Sequence, residues 1–105
     1  METMDTTRAQ EIARTILDQI NYGDKWFLPA VGGKNFHSMS EEKEFSGGLG
    51  FQCNGLNHKG WVKIQLRWTD TYTISFVNKK REVVKVLKGI FCDQLVEMLD
   101  YVEGR

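Results

Sequence analysis

Within the stretch Lys59–Trp68, Lys59, Trp61, Lys63, Gln65 and Arg67 alternate with Val62, Ile64, Leu66 and Trp68. At the two-residue period of a β-strand this places cations and an indole on one side and apolar side chains on the other. Lys79, Lys80 and Arg81 follow in a predicted hairpin tip and extend the basic side. Such a surface suits two kinds of chemistry. An aromatic ring can stack under a nucleic-acid base while cations hold the phosphates, each stacked base contributing about 1–3 kcal/mol. Trp and Arg are also the residue types that most often anchor a protein interface. The plainer alternative is a solvated face, with Trp61 covered by the segment 36–45.

The nucleophiles and bases do not form a pattern of their own. The two histidines, His37 and His58, fall in predicted loop or turn regions. Cys53 could be drawn with His58 as nucleophile and base, yet it shares the phase of Leu49 and Phe51 and is expected to be a core thiol. Cys92 stands where a helix begins, and both cysteines read as buried, reduced thiols. A zinc site drawn from His37, Cys53, His58 and Cys92 lacks paired short spacings. Gly47-Gly48-Leu49-Gly50 and Gly32-Gly33-Lys34 lack the Lys-Ser/Thr that a phosphate loop requires, so they read as bends or turns. Glu41, Glu42 and Glu44 lie in a charged loop and read as solvent-facing. The expectation is a protein that is not an enzyme and uses no metal and no cofactor.

With 105 residues the chain is long enough for one core, and a single domain over 1–105 is expected, with residues 1–6 as a disordered leader. Hydrophobic content of 41% beside 27% charged residues excludes a disordered chain, and no apolar run is long enough to span a bilayer. The start, Met-Glu-Thr-Met-Asp, lacks a basic and apolar secretory signal, which points to the cytoplasm. Net charge is zero, which speaks against a dominant nucleic-acid footprint and against an acidic mimic of DNA. The charges are nevertheless segregated. Residues 55–91 carry eight cations against Asp70 and Glu82, while the segments before and after are acidic.

These side chains need elements to hold them. Thr7-Arg8-Ala9-Gln10 fits a capping box, and Ala9, Ile12, Ala13, Ile16, Leu17 and Ile20 recur at helical spacing up to a stop at Asn21-Tyr22-Gly23. Lys25–Val31 reads as a first strand, Asn35–Met39 as a short second one, and Leu49–Cys53 as a third, followed by a turn at 54–57. Tyr72, Ile74 and Phe76 alternate like their predecessors. Pairing Trp68 with Tyr72 predicts a three-residue turn, Thr69-Asp70-Thr71, and sets Lys63 opposite Val77, Trp61 opposite Lys79 and Arg67 opposite Thr73. Glu82–Lys88, rich in valine, reads as a well-buried last strand. After Gly89 a second helix carries Phe91, Leu95, Met98, Leu99 and Val102. The expected fold is α+β: two layers, an antiparallel sheet of four to six strands with the N-terminal and C-terminal helices on one face.

Several segments resemble a family. Gly23-Asp24-Lys25-Trp26-Phe27, Val31-Gly32-Gly33-Lys34-Asn35-Phe36, Trp61-Val62-Lys63-Ile64-Gln65-Leu66 and Asp70-Thr71-Tyr72-Thr73-Ile74 are similar to small proteins of phages, prophages and mobile elements. Those show Gly-x-Lys-Phe, then Gly-Ala-Lys-Asn-Phe, a Val-Lys-Ile strand and an Asp-x-Tyr hairpin; here Trp26 replaces Phe and Gly33 replaces Ala. The resemblance implies a mobile-element origin and a place in the cytoplasm of a bacterial host. It implies no catalytic residue. On that basis the expected function is to modulate or inhibit a host protein or nucleoprotein complex, such as a defence nuclease of CRISPR or restriction type. Single-stranded nucleic-acid binding through the basic, aromatic face is the alternative, and a homodimeric accessory protein hiding Trp61 at a symmetric contact is a third.

Overall fold

Helical spacing of Ile12, Ala13, Ile16, Leu17 and Ile20 gives the chain one long amphipathic helix, and alternation in the middle gives it a sheet for that helix to cover. The computed structural model describes residues 2–23, 25–30, 32–55 and 58–103. Its elements are α1 (Glu2–Gly23), α2 (Phe27–Ala30), β1 (Lys34–Met39), β2 (Phe45–Asn54), β3 (Lys59–Arg67), β4 (Tyr72–Asn78), β5 (Val83–Ile90) and α3 (Leu95–Leu99), the last flanked by 3-10 turns at Cys92–Gln94 and Asp100–Glu103. The five strands form one antiparallel sheet in sequence order, β1-β2-β3-β4-β5. This is the α+β architecture that the patterns call for. No helix among the described residues is long and apolar enough to cross a membrane.

The core lies between the sheet and the helices. Ala13, Ile16 and Ile20 of α1 meet Leu49, Phe51, Val62, Ile64, Ile74 and Phe76 from the inner face of the sheet, with Leu95, Leu99 and Val102 closing one end. Each side chain of this size, fully buried, contributes about 1.5–3 kcal/mol. One polar tie joins the layers: the Tyr72 hydroxyl donates to Oε1 of Gln19 at 2.9 Å. Tyr72→Phe is expected to cost about 1 kcal/mol, because Gln19 keeps access to water when the phenol is lost. The midpoint of a urea melt measures it.

Several expectations are corrected. The backbone of α1 is helical from Glu2, so Thr7 lies inside the helix and not at its cap; the Thr7 side chain is outside the described residues. The segment read as a first strand, Lys25–Val31, contains the helical turn α2 instead. Pro29 falls in the first turn, where a missing N–H costs nothing, and Phe27 and Leu28 are buried, so the apolar run packs as a turn beneath α1. Residues 56 and 57 of the expected β2–β3 turn lie outside the described residues.

The β3–β4 register also differs. Leu66 pairs with Tyr72, Ile64 with Ile74 and Val62 with Phe76, so the inward phase is as expected but slid by two residues. The Arg67 N–H donates to the Thr71 carbonyl (2.8 Å) and the Asp70 N–H to that of Arg67 (3.0 Å), which closes a loop of Trp68, Thr69 and Asp70. Asp70 takes φ 66° at its third position, the left-handed residue that such three-residue loops require and that aspartate tolerates. Trp68 is therefore a loop residue, 47% exposed, and not part of the inner face. Trp61 faces Val77 and not Lys79, Lys63 faces Ser75, and Thr73 pairs with Gln65 and not with Arg67.

The last strand is not buried. β5 is an edge, and Val83, Val84 and Val86 expose 59%, 51% and 43% of their surface. Their β-branched composition fits a pleated surface whether or not anything covers it. Gly89 belongs to this strand, at φ 67° beside an irregularity in its pairing, and does not open the helix. Phe91, expected in the helical stripe, precedes it and is exposed.

Candidate functional site

The outer face of the sheet is shaped by what β2 omits. Gly48 and Gly50 face outward there, between β1 and β3. His37 of β1 sits over Gly50, where any Cβ would collide with its ring, and Gln65 of β3 lies across Gly48, its Cγ 3.1 Å from the missing Cβ. His37 thereby reaches Trp61, edge to face, with ring centroids 5.9 Å apart and an interplanar angle of 67°. Behind His37, Asn35 adopts φ 55°, and its amide donates to Oε1 of Gln52 at 2.7 Å, holding β1 to β2.

On the other side of Trp61 the sheet continues to Val77 and Val83, paired in register. The β4–β5 tip is fixed by Asn78. Its Oδ1 accepts from the backbone N–H groups of Lys80 and Glu82, both at 2.9 Å, its Nδ2 donates to Glu82 Oε1 at 3.2 Å, and the Arg81 N–H donates to the Asn78 carbonyl at 2.9 Å. Arg81 takes φ 67° in this turn. The result is an open groove of about 330 Å³ lined by His37, Trp61, Lys63, Val77, Arg81 and Val83.

Of the residues read from sequence as a binding face, the structure brings together Trp61, Lys63 and Arg81. Lys59, Lys79 and Lys80 are exposed at the same end of the sheet, since Gly60 beside Lys59 pairs with Asn78. Gln65 is a correction: it is buried against Gly48 with its cross-strand partner Thr73 and offers no surface. Arg67 is in phase with Trp61 and Lys63 on β3 but does not line this groove. It lies six residues along β3 from Trp61, about 20 Å away, beside the Trp68 loop. His37, Val77 and Val83 are not among the residues that the sequence assigns to the binding face. The covering segment expected over Trp61 is a single side chain, His37.

The Cys53–His58 pairing fails on geometry. His58 is buried, its Nε2 3.1 Å from the Trp61 carbonyl and its ring edge-on to Phe76 at 5.4 Å, so it is a core residue and not a turn residue at the surface. The Cys53 thiol donates to the His58 carbonyl at 3.9 Å and not to the imidazole. Burial pushes Cys53 up from 9.0 to about 11, backbone hydrogen bonds opposing the shift, so it is a thiol at neutral pH. Cys92, expected to be buried, is exposed because it follows the end of β5. Among the described residues no three His, Cys, Asp or Glu side chains converge on a metal position.

The Cys53 shift has a consequence for stability. The unfolded chain loses this proton near 9.0 while the folded chain holds it to about 11, so between those values the unfolded state binds fewer protons and stability falls as pH rises. Tyr72, raised mainly by burial, acts in the same direction at higher pH. Urea melts across pH 8–11 are expected to show the decline, and Cys53→Ala is expected to flatten its first part.

Comparison with protein-family models, with curated proteins and with solved structures finds no match to this chain.

Proposed function

We propose that the protein acts by binding another protein through the Trp61 groove, as a mobile-element product that modulates or blocks a host protein or nucleoprotein complex. The observation that supports a protein partner is the pair of valines in the groove floor, Val77 and Val83, continued on β5 by exposed Val84 and Val86. Val77 itself is buried, so the exposed aliphatic side chains are Val83, Val84 and Val86; exposed aliphatics near an aromatic residue and an arginine have the composition of a protein interface core. A groove of about 330 Å³ takes one or two anchoring side chains, and Lys63 and Arg81 at its border favour a carboxylate beside the apolar anchor. The resemblance to phage and prophage proteins supports a host protein as the target. Overall neutrality is compatible with such a partner.

A second reading rests on the clustering of Lys59, Lys63, Lys79, Lys80 and Arg81 at the Trp61 end of the sheet. Five cations around an indole suit single-stranded nucleic acid. Titration of short single-stranded DNA and RNA at two salt concentrations, followed by tryptophan emission, separates the readings. Nucleic-acid binding weakens by roughly 0.7 log units in affinity per log unit of salt for each phosphate contact. Under the protein-binding proposal, no salt-dependent quenching is expected, and wild-type protein retains a nuclease-resistant host polypeptide that Trp61→Ala does not. Oligonucleotide binding lost in Trp61→Ala would favour the second reading.

A further inference from the structure

The two acidic ends of the sequence meet in the fold. Asp18 from α1 and Asp93 from the turn after β5, each from one of the acidic ends of the sequence, come together on a groove of about 640 Å³. Tyr22, Gln19, Cys92 and Val96 share its lining, and the two aspartates are the only charged residues among those described there. Tyr22 is 96% exposed. A largely apolar trough with carboxylates at its border suits a side chain with an aliphatic stem and a cationic head.

The same molecule carries that chemistry at its other pole. Lys79, Lys80 and Arg81 are exposed on the β4–β5 tip, which Asn78 holds rigid. The tip precedes Val83, and the groove begins two residues beyond Ile90, so the eight residues of β5, about 26 Å, separate them. A chain cannot seat its own tip in its own groove. We infer that the groove between α1 and Cys92–Val96 receives the basic β4–β5 tip of a second copy, head to tail. Each copy offers one tip and one groove, so two copies that seat each other's tips close a twofold dimer, and a contact made one way only propagates into a ring or a filament. Zero net charge removes the general repulsion that would oppose it. Pairing through the β5 edge is the competing geometry. That edge is protected by Lys85 in register with inward-facing Phe76, by Lys88, and by two irregularities in its pairing. Arg81 also borders the Trp61 groove, so the two surfaces share this residue.

Cys92 lines the groove and is exposed while Cys53 is buried, so a maleimide reads Cys92 selectively. Sedimentation velocity and the rate of Cys92 labelling are followed on the purified full chain from micromolar to submillimolar concentration. At low salt the mass is expected to rise with concentration and labelling to slow several-fold; at about 1 M salt, where screening acts over about 3 Å, both are expected to revert. Asp18→Lys with Asp93→Lys, and separately Lys79→Glu with Lys80→Glu and Arg81→Glu, are each expected to remain monomeric. Mixing the two variants is expected to restore association. Monomer at every concentration with undiminished Cys92 labelling overturns the inference. So does association that survives either set of charge reversals, or that ignores salt. Protection of Cys92 by another protein while the chain stays monomeric assigns the groove to that protein and also overturns it. No partner of the Trp61 groove is needed for these measurements, so their failure leaves the proposed function standing.

Discussion

Gly60→Ala is expected to cost about 3 kcal/mol or more, a large loss for a single methyl group. Gly60 adopts φ 140° in β3, and a Cβ there would run into the Val77 carbonyl and the backbone of Asn78. Both objections are to backbone, which cannot rotate away. The damage is local to the site, because Gly60 precedes Trp61 and pairs with Asn78, the residue that organises the basic tip. Gly32→Ala is the matched comparison: its φ is 62°, but nothing lies within 4 Å of an added Cβ. Only the left-handed strain is paid there, about 1 kcal/mol. Urea melts of the two variants are expected to differ in midpoint in that order, with similar slopes.

Trp61→Ala is expected to weaken partner binding by about 2 kcal/mol or more, roughly 30-fold in affinity, without unfolding the protein. Trp61 is half-buried between His37 and Val77 on the outer face, away from the core cluster, so its loss empties the groove wall and leaves the inner packing intact. Arg81→Glu is expected to match it by reversing the charge at the border and repelling a carboxylate. Lys63→Ala is expected to have a smaller effect, since a flexible ammonium at the rim is easily replaced by water. Arg67→Ala is expected to leave binding unchanged, because Arg67 lies at the far end of β3. Circular dichroism of each variant separates lost binding from lost fold, and titration calorimetry against the captured partner gives the ranking.

The β3–β4 hairpin shows what the chain discloses by itself. Alternation in Lys59–Arg67 and Tyr72–Asn78 fixes which residues face inward, and matching those phases fixes an odd loop length. What alternation cannot fix is a slide by two, which preserves every face. Trp68 looked like one more inward residue and drew the register toward it; the left-handed Asp70 decides otherwise. The same limit applies to β5, where three valines announce a strand but not whether anything lies against it. For the site, Trp61, Lys63 and Arg81 were readable because one strand and one tip carry them. His37 arrives from another strand, and its signal is indirect: outward glycines in β2 leave room for a ring from β1. Val77 and Val83 enter only once the register is known. The burial of Gln65 follows from Gly48 in the same way.

A photoreactive benzoylphenylalanine at Val83 tests the Trp61 groove most directly, since that position lines it and is exposed enough to accept the larger ring. Irradiation in bacterial host extract, with and without nuclease, is expected to give one crosslinked host polypeptide that survives nuclease treatment. That product is expected to disappear when Trp61→Ala and Arg81→Glu are added to the same chain. Crosslinks to nucleic acid alone, or a polypeptide product that persists undiminished in the double variant, would contradict a protein-binding groove at Trp61.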